Sequence, residues 1–126
     1  RATRFGSSLY EIEVYGTAVQ AAQSPYNGSP AAIPGTIQAE QYDLGGQSVA
    51  FNDLSAGNSF AAFRTDGVDV EVCTDAGGGH NIGNIQAGEW VEYTVSIANT
   101  GTYQFTARVA AVSAGRSFHL EVDGTP

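Results

Sequence analysis

Residues 77–95 read GGGHNIGNIQAGEWVEYTV and contain Trp90, the only tryptophan in the sequence. The glycine run is typical of a turn, and the segment after it alternates apolar and polar residues as a β-strand does. One alternating set comprises Val91, Tyr93 and Val95, and the other comprises Trp90, Glu92 and Thr94. Because successive strand side chains point to opposite faces, a buried valine face leaves the indole on the solvent face.

Two later segments carry the same alternation. In one, the apolar set is Tyr103, Phe105, Ala107 and Val109, and the polar set is Gln104, Thr106 and Arg108. In the other, the apolar set is Phe118, Leu120 and Val122, and the polar set is His119, Glu121 and Asp123. If the three strands lie in one sheet, its polar face presents a single indole among carboxylates and amides.

The remaining sequence is a series of short strand candidates separated by turn sequences. The predicted strands span residues 35–41, 48–52, 59–64, 67–73, 80–85, 89–96, 102–110 and 117–123. Turn clusters such as LGG, TDG and DAGGG lie between them, and no stretch sustains a 3.6-residue period. This pattern predicts an all-β fold: a β-sandwich of the jelly-roll type with antiparallel sheets.

The organisation changes along the chain. Residues 10–15, YEIEVY, alternate as a strand should, whereas residues 17–32 are rich in Ala, Ser and Pro without a period. We therefore interpret 17–32 as a linker and 33–126 as the ordered domain.

Composition excludes several classes of partner. The formal net charge is −8, with five Lys and Arg residues in total. A field of that sign repels phosphate backbones and anionic lipid surfaces, so we expect no nucleic-acid and no membrane partner. Cys73, His80 and His119 lack the paired spacing of zinc ligands.

Stacking on a sugar ring would explain an exposed indole. The C–H face of a pyranose packs on an aromatic ring, whose negative π cloud meets slightly positive hydrogens. Nearby carboxylates and amides then accept hydrogen bonds from the sugar hydroxyls. The alternative is structural: Trp90 packs under a loop or a neighbouring strand and contacts no ligand.

Three stretches carry a resemblance to a known family: IPGTIQAEQYD (33–43), DVEVCTDAGGGHNIGNIQAGEWVEYTV (69–95) and GTYQFTARVA (101–110). In order, spacing and glycines they resemble family 6 carbohydrate-binding modules, from about Ile33 to the last residue. The resemblance implies a non-catalytic β-sandwich, usually attached to a secreted glycoside hydrolase, with a structural calcium ion. It also implies glycan binding in a loop cleft at the sandwich edge or on the concave face of one sheet.

The resemblance places the candidate ligand residues. In the loop cleft, Glu71 matches an acidic residue before the glycine run, and Asn84 occupies a position that is usually aromatic. On the concave face, the family's tryptophan matches Trp90, and an outward glutamate before a DG turn matches Glu121. The departure at Asn84 favours the Trp90 face, and a cleft around Glu71 and Asn84 is the alternative. The candidate ligand-binding residues are Trp90, Glu121, Glu92, Gln104, Glu71 and Asn84.

A calcium site is expected near the start of the domain. Gln38 and Glu40 are two residues apart on its first predicted strand, so their oxygens would share a face. Calcium prefers several oxygen ligands. The resemblance places ligands at both positions, with others from a backbone carbonyl and the final strand. The alternative is that both are solvated edge residues.

The ends of the chain suggest a longer, modular protein. Residues 1–17, RATRFGSSLYEIEVYGT, resemble the closing segment of a discoidin-type domain, so we assign 1–16 to the terminal strand of a preceding domain. Residues 33–126 fall short of the roughly 100 residues of a comparable sandwich, so we expect its pattern to continue beyond Pro126.

These observations predict a non-catalytic, secreted module. Carboxylate pairs are available, but no feature indicates the deep pocket that would split their pKa values, and there is no Gly-x-Ser-x-Gly motif. We expect a monomeric module that targets a polysaccharide-degrading enzyme to a neutral glycan such as a 1,3-linked glucan. An adhesion or scaffolding module at the cell surface is the alternative, because both use the same sugar-binding face.

Overall fold

The computed structural model describes residues 21–126, and its regular elements are short. The strands are β1 (Ala31–Ile33), β2 (Phe51–Asn52), β3 (Val70–Val72), β4 (His80–Ile82), β5 (Trp90–Val91) and β6 (Val95–Ile97). A 3-10 helix at Ala39–Gln41 is the one helical element within this range. No helix among the described residues is long and apolar enough to cross a membrane.

The strands form three two-stranded ladders. β2 pairs with β5 and β3 pairs with β4, both antiparallel, whereas β1 pairs with β6 in parallel. The all-β class is confirmed, and antiparallel pairing holds for two of the three ladders.

The core lies between the two antiparallel ladders and the 3-10 helix. Its buried apolar residues are Tyr42, Ala50, Phe51, Val68 and Val70, with Ile82, Val91 and Tyr93 packed against them. The rings of Tyr42 and Phe51 meet edge to face at 5.6 Å between centroids. Because Phe51 pairs with Val91 and Val70 pairs with Ile82, each ladder turns one cross-strand pair inward.

A buried polar network braces this core. The Arg64 guanidinium lies over the Tyr42 ring at 3.5 Å from the centroid and donates to the backbone carbonyls of Tyr42 and Asp43. Its charge is paired with Asp66 at 2.6 Å. The Asp43 carboxylate accepts from the Thr94 backbone N–H at 3.0 Å, which ties β6 to the segment after the 3-10 helix. A buried charge needs such partners to be tolerated.

Two predicted strands are wrong. Within 35–41, the Gln41 N–H donates to the Gln38 carbonyl at 3.0 Å and closes the 3-10 turn. Residues 59–64 form a loop, because the Asn58 amide donates to the carbonyls of Ala62 and Arg64 at 3.0 Å each. Local side-chain bonds of this kind compete with a strand ladder.

The predicted strands 102–110 and 117–123 are also not found. This part of the chain forms no strand, and its one regular feature is a bridge between Val122 and Thr125. Every residue from 98 to 126 is exposed. Alternation specifies which face of a strand can be buried, but a strand also needs a ladder partner, and none is present among the described residues.

Residues before Ile33 also make contacts with the rest of the described chain. Ser24 exchanges backbone hydrogen bonds with Leu44, and β1 begins at Ala31, so part of the segment 17–32 pairs with later residues. The division into a linker at 17–32 and a domain at 33–126 stays a prediction. The strand 10–15, the discoidin-like segment 1–16 and the start of the linker lie outside the described residues.

Candidate functional site

Trp90 lies on the outer side of the β2–β5 ladder. It pairs directly with Asn52, while the neighbouring pair, Phe51 and Val91, faces the core. Trp90 is 41% exposed and Phe51 is 2% exposed, so the two faces of the ladder differ as the alternation predicts. Glu92 is also exposed, two residues along the same chain segment. We call Asn52, Trp90 and Glu92 the Trp90 face.

Hydrogen bonds hold the polar neighbours of the indole in place. The Asn52 side chain accepts from the Gln47 amide at 2.9 Å and donates to the Gly88 carbonyl at 3.0 Å. The Glu89 carboxylate accepts from the backbone N–H groups of Leu54 and Gln86, which fixes the turn before Trp90. The cross-strand partner of the indole and the turn before it are therefore both held by hydrogen bonds.

The structure does not join Gln104 and Glu121 to this face through any ladder in the described range. Both are exposed residues of segment 98–126, outside every strand. The Glu121 carboxylate instead lies 2.8 Å from His119 Nε2. Sequence reasoning missed Asn52, because a cross-strand partner depends on the register of two distant segments.

A second group of side chains surrounds Gly83, directly after β4. Glu71 and Asn81 are cross-strand partners in the β3–β4 ladder, and the Asn81 amide donates to Glu71 Oε1 at 2.8 Å. A methyl group built on Gly83 would lie 3.0 Å from Glu71 Oε1 and 3.1 Å from Phe60 Cε2. The carboxylate and the phenyl ring therefore approach the same backbone position from opposite segments.

Asp69 connects this group to the loop of residues 58–64. Asp69 is buried, its carbonyl accepts from the Gly83 N–H at 2.8 Å, and its carboxylate accepts from the Ser59 N–H at 2.6 Å. Burial acts to raise the pKa of the Asp69 carboxyl, but hydrogen bonds from Ser59 outweigh it and hold that pKa below its ordinary value. The Asn84 side chain contributes in the same direction. Asn84 itself is exposed and has a left-handed backbone, with φ of 49°.

The calcium candidates differ in burial. Glu40 lies in the 3-10 helix and is 5% exposed, whereas Gln38 precedes the helix and is exposed. The prediction that they share one face of a strand is wrong, because the chain turns between them. Glu40 Oε2 is buried and has no hydrogen-bond partner in the part of the chain that the structure describes.

The surroundings of Glu40 are suited to a positive charge. Burial raises the pKa of the Tyr93 hydroxyl to about 12, and the negative charge of Glu40 adds to that shift. The same hydroxyl donates to the Ala39 carbonyl at 2.8 Å. Between residues 21 and 126 there is no group of three or more His, Cys, Asp or Glu side chains that could hold a metal ion. A cation at Glu40 would therefore rely on amide and carbonyl oxygens for its other ligands.

Comparison with protein families identifies the class. The family model for the carbohydrate binding module (family 6) matches residues 58–126, which is more than half of the chain. The chain therefore belongs to this family, whose domains are non-catalytic β-sandwiches that bind carbohydrate. The match includes Trp90 and Glu92 and the residues around Gly83, whereas Asn52 lies before it. A search of curated proteins finds no match to the chain.

Proposed function

We propose that the domain binds a neutral polysaccharide, such as a 1,3-linked glucan, on the Trp90 face. Its role would be to target a secreted polysaccharide-degrading enzyme to that polysaccharide, as a monomeric module of a multidomain chain. The observation that carries the proposal is the exposed indole of Trp90 opposite Asn52, on the side of the β2–β5 ladder that faces away from the core.

The composition of the Trp90 face favours a neutral ligand. Stacking on the indole would hold the C–H face of a sugar, while Glu92 and Asn52 would bond its hydroxyls. The net charge of −8 disfavours sulfated or uronic-acid polymers. The choice of a 1,3-linked glucan is supported by the family resemblance and not by a contact in the domain.

Such a site would act by tethering the domain, and any enzyme linked to it, to the polymer. One stacked ring and a few hydroxyl bonds give weak binding, but attachment to an insoluble polymer raises the local concentration of any linked catalytic domain. This mechanism requires no catalytic group in the domain.

A depletion assay tests the proposal. Wild-type protein, Trp90→Ala and the control Phe105→Ala are mixed with insoluble β-1,3-glucan, α-1,3-glucan, xylan, cellulose and agarose. Phe105 is an exposed aromatic outside every strand ladder of the described residues, so its loss is expected to change nothing. We expect wild type to bind a 1,3-linked glucan selectively, and Trp90→Ala to lose at least about tenfold in affinity. Retention of full binding by a folded Trp90→Ala protein would contradict the proposal.

We also propose that the domain holds a structural calcium ion at Glu40. A buried carboxylate oxygen without a partner is costly, and a hard cation would offset that cost. Gln38, next to the same turn, is the second proposed ligand, through its side-chain oxygen. When bound, the ion would fix the 3-10 helix against β4.

Thermal unfolding tests the calcium site. Calcium is expected to raise the Tm of wild type relative to chelator, with no such shift in Glu40→Gln. The exposed Glu121→Gln serves as a control for loss of one charge and is expected to respond like wild type. An equal calcium response in Glu40→Gln would place the ion elsewhere.

A further inference from the structure

We propose that a small cavity between residues 25–31 and the rest of the fold binds one terminal sugar ring of a neutral glycan. The cavity has a volume of about 150 Å³. We call it the Tyr26 pocket, and its lining includes Tyr26, Asn27, Gln41, Asp43 and Tyr93. The inference rests on the proposed carbohydrate-binding function and adds a second site to it.

Residues 24–31 form one wall of the pocket, and this wall is anchored at both ends. Ser24 exchanges backbone hydrogen bonds with Leu44 at 2.9 and 2.8 Å. At the other end, the Ala31 N–H donates to the Thr94 carbonyl at 2.9 Å, where β1 begins to pair with β6. A wall that is held at both ends exists before a ligand arrives, so little ordering remains to be done on binding.

Side-chain contacts fix the middle of the same wall. The Tyr26 ring lies 5.6 Å from the Phe63 ring between centroids, and the Arg64 guanidinium carbon lies 5.3 Å from the centre of the Tyr26 ring. The Asn27 amide donates to Gln41 Oε1 at 3.1 Å, which joins the wall to the 3-10 helix. An amide also has a donor nitrogen, so Gln41 Nε2 can donate to an oxygen of a ligand.

Asp43 supplies a buried charge to the pocket. It is 2% exposed, and its carboxylate accepts from Gln23 Nε2 at 2.8 Å and from both the backbone N–H and the hydroxyl of Thr94. A carboxylate has about four acceptor sites, so these three bonds leave one site, on Oδ1. A ligand hydroxyl that donates there would make a charge-assisted hydrogen bond, which is stronger than a bond between neutral groups.

The size and chemistry of the pocket indicate one neutral sugar ring. An apolar cavity of about 150 Å³ holds benzene, so this volume accommodates one six-membered ring and not a chain of rings. Tyr26 and Tyr93 are half-buried and supply apolar ring surface, while the amides and the carboxylate bond hydroxyls. Among the described residues, no Lys, Arg or His lines the pocket, so an anionic ligand would meet only the negative Asp43.

The Tyr26 pocket is separate from the other candidate surfaces. Most of its lining comes from residues 25–43, which precede the residues 58–126 that the family model matches. Within the described range, neither the Trp90 face nor Glu71 and Asn84 contribute to the lining. A site for the end of a chain and a face for its internal rings would bind different parts of one polymer and raise avidity.

Protein NMR measures the two surfaces separately in one titration. Methyl β-D-glucopyranoside, which is a single ring, and a β-1,3-linked glucotetraose are each added to the isotope-labelled whole chain. The side-chain amide signals of Asn27 and Gln41 report the pocket, and the indole N–H signal reports the Trp90 face because the sequence has a single tryptophan. We expect both sugars to shift the pocket signals with equal affinity, since one ring fills the cavity.

Two variants with matched controls test the residues of the pocket. Gln41→Glu keeps the oxygen that accepts from Asn27 but replaces the donor nitrogen, and we expect it to weaken binding at the pocket by roughly 3- to 10-fold. Asn99→Asp makes the same amide-to-acid change at an exposed residue outside the pocket and is expected to bind like wild type. Tyr26→Leu is expected to weaken the pocket by roughly 2- to 10-fold, with Phe105→Leu as its unaffected control.

Several outcomes would overturn the Tyr26 pocket. Shifts of the indole signal without shifts at Asn27 and Gln41 would overturn it and leave the proposed function intact. Equal pocket affinity in Gln41→Glu, Tyr26→Leu and wild type would also overturn it, as would saturation of the pocket signals by calcium chloride and by neither sugar. A much higher affinity of the pocket signals for the tetraose than for the single ring would contradict recognition of a chain end. If no signal shifts and no polysaccharide is depleted, the proposed function and the pocket both fail.

Discussion

Asp69 shows how a buried charge can organise the backbone next to a candidate site. The residue is 3% exposed, yet the Ser59 N–H and neighbouring polar groups stabilise the ionised form of its carboxyl. Hydrogen bonds to a charged acceptor are stronger than those between neutral groups, and they overcome the cost of burial here. The ionised Asp69 carboxylate therefore helps Asn58 to hold the loop of residues 58–64 in place.

Protonation of Asp69 is expected to destabilise the domain in acid. Because its pKa is lower in the folded protein than the ordinary 3.8, its contribution is complete above that pH and is lost as pH falls through the folded-state value. Asp69→Asn is expected to cost about 1–3 kcal/mol at neutral pH and to lose less stability on further acidification than wild type does. Urea unfolding as a function of pH measures both effects.

Asp75→Asn provides the matched comparison. Asp75 is paired with Arg108, but both side chains are more than half exposed, so the pair contributes little. We expect Asp75→Asn to lower the free energy of unfolding at neutral pH by less than Asp69→Asn does. An equal loss in the two variants would contradict the conclusion that burial of the Asp69 carboxylate causes the effect.

At the scale of elements, local alternation correctly predicted the two faces at Trp90 and Val91 but not in segments 102–110 and 117–123, whose apolar residues are exposed. Trp90 is exposed and Val91 packs on the core because the period of two is a property of the strand itself. The predicted strands 67–73 and 80–85 contain β3 and β4, and in β3 a buried Val70 is followed by a half-buried Glu71 and an exposed Val72. The family resemblance also predicts, from sequence alone, that Glu71 and Asn84 are candidate ligand-binding residues.

Alternation in the sequence does not predict elements that depend on hydrogen bonds from side chains to the backbone. Asn58 holds residues 58–64 in a loop with left-handed backbone at Ala61 and Phe63, although the sequence predicts a strand at 59–64. Phe60 and Asn52 were missed for a related reason. Each reaches its candidate site through contacts with a distant segment, and a single sequence does not reveal such contacts.

At the scale of the whole molecule, two tyrosines link the core to its polar surroundings. The Tyr42 ring lies under Arg64, and its hydroxyl donates to the Asp66 carboxylate. The Tyr93 hydroxyl donates to the Ala39 carbonyl and so joins the segment between β5 and β6 to the 3-10 helix. Burial raises the pKa of both hydroxyls, which means that the folded state favours their neutral forms.

The domain is therefore expected to lose stability at alkaline pH. The pKa of Tyr93 rises from 10.0 to about 12 on folding, so its contribution is complete below pH 10 and is lost as pH rises through about 12. Tyr42 shifts in the same direction. Urea unfolding from neutral pH to about pH 12 measures the loss. Tyr93→Phe is expected to be about 1 kcal/mol less stable at neutral pH and to show a shallower alkaline decline, since it lacks the titrating hydroxyl. Identical declines in wild type and Tyr93→Phe would show that the alkaline sensitivity arises elsewhere in the molecule.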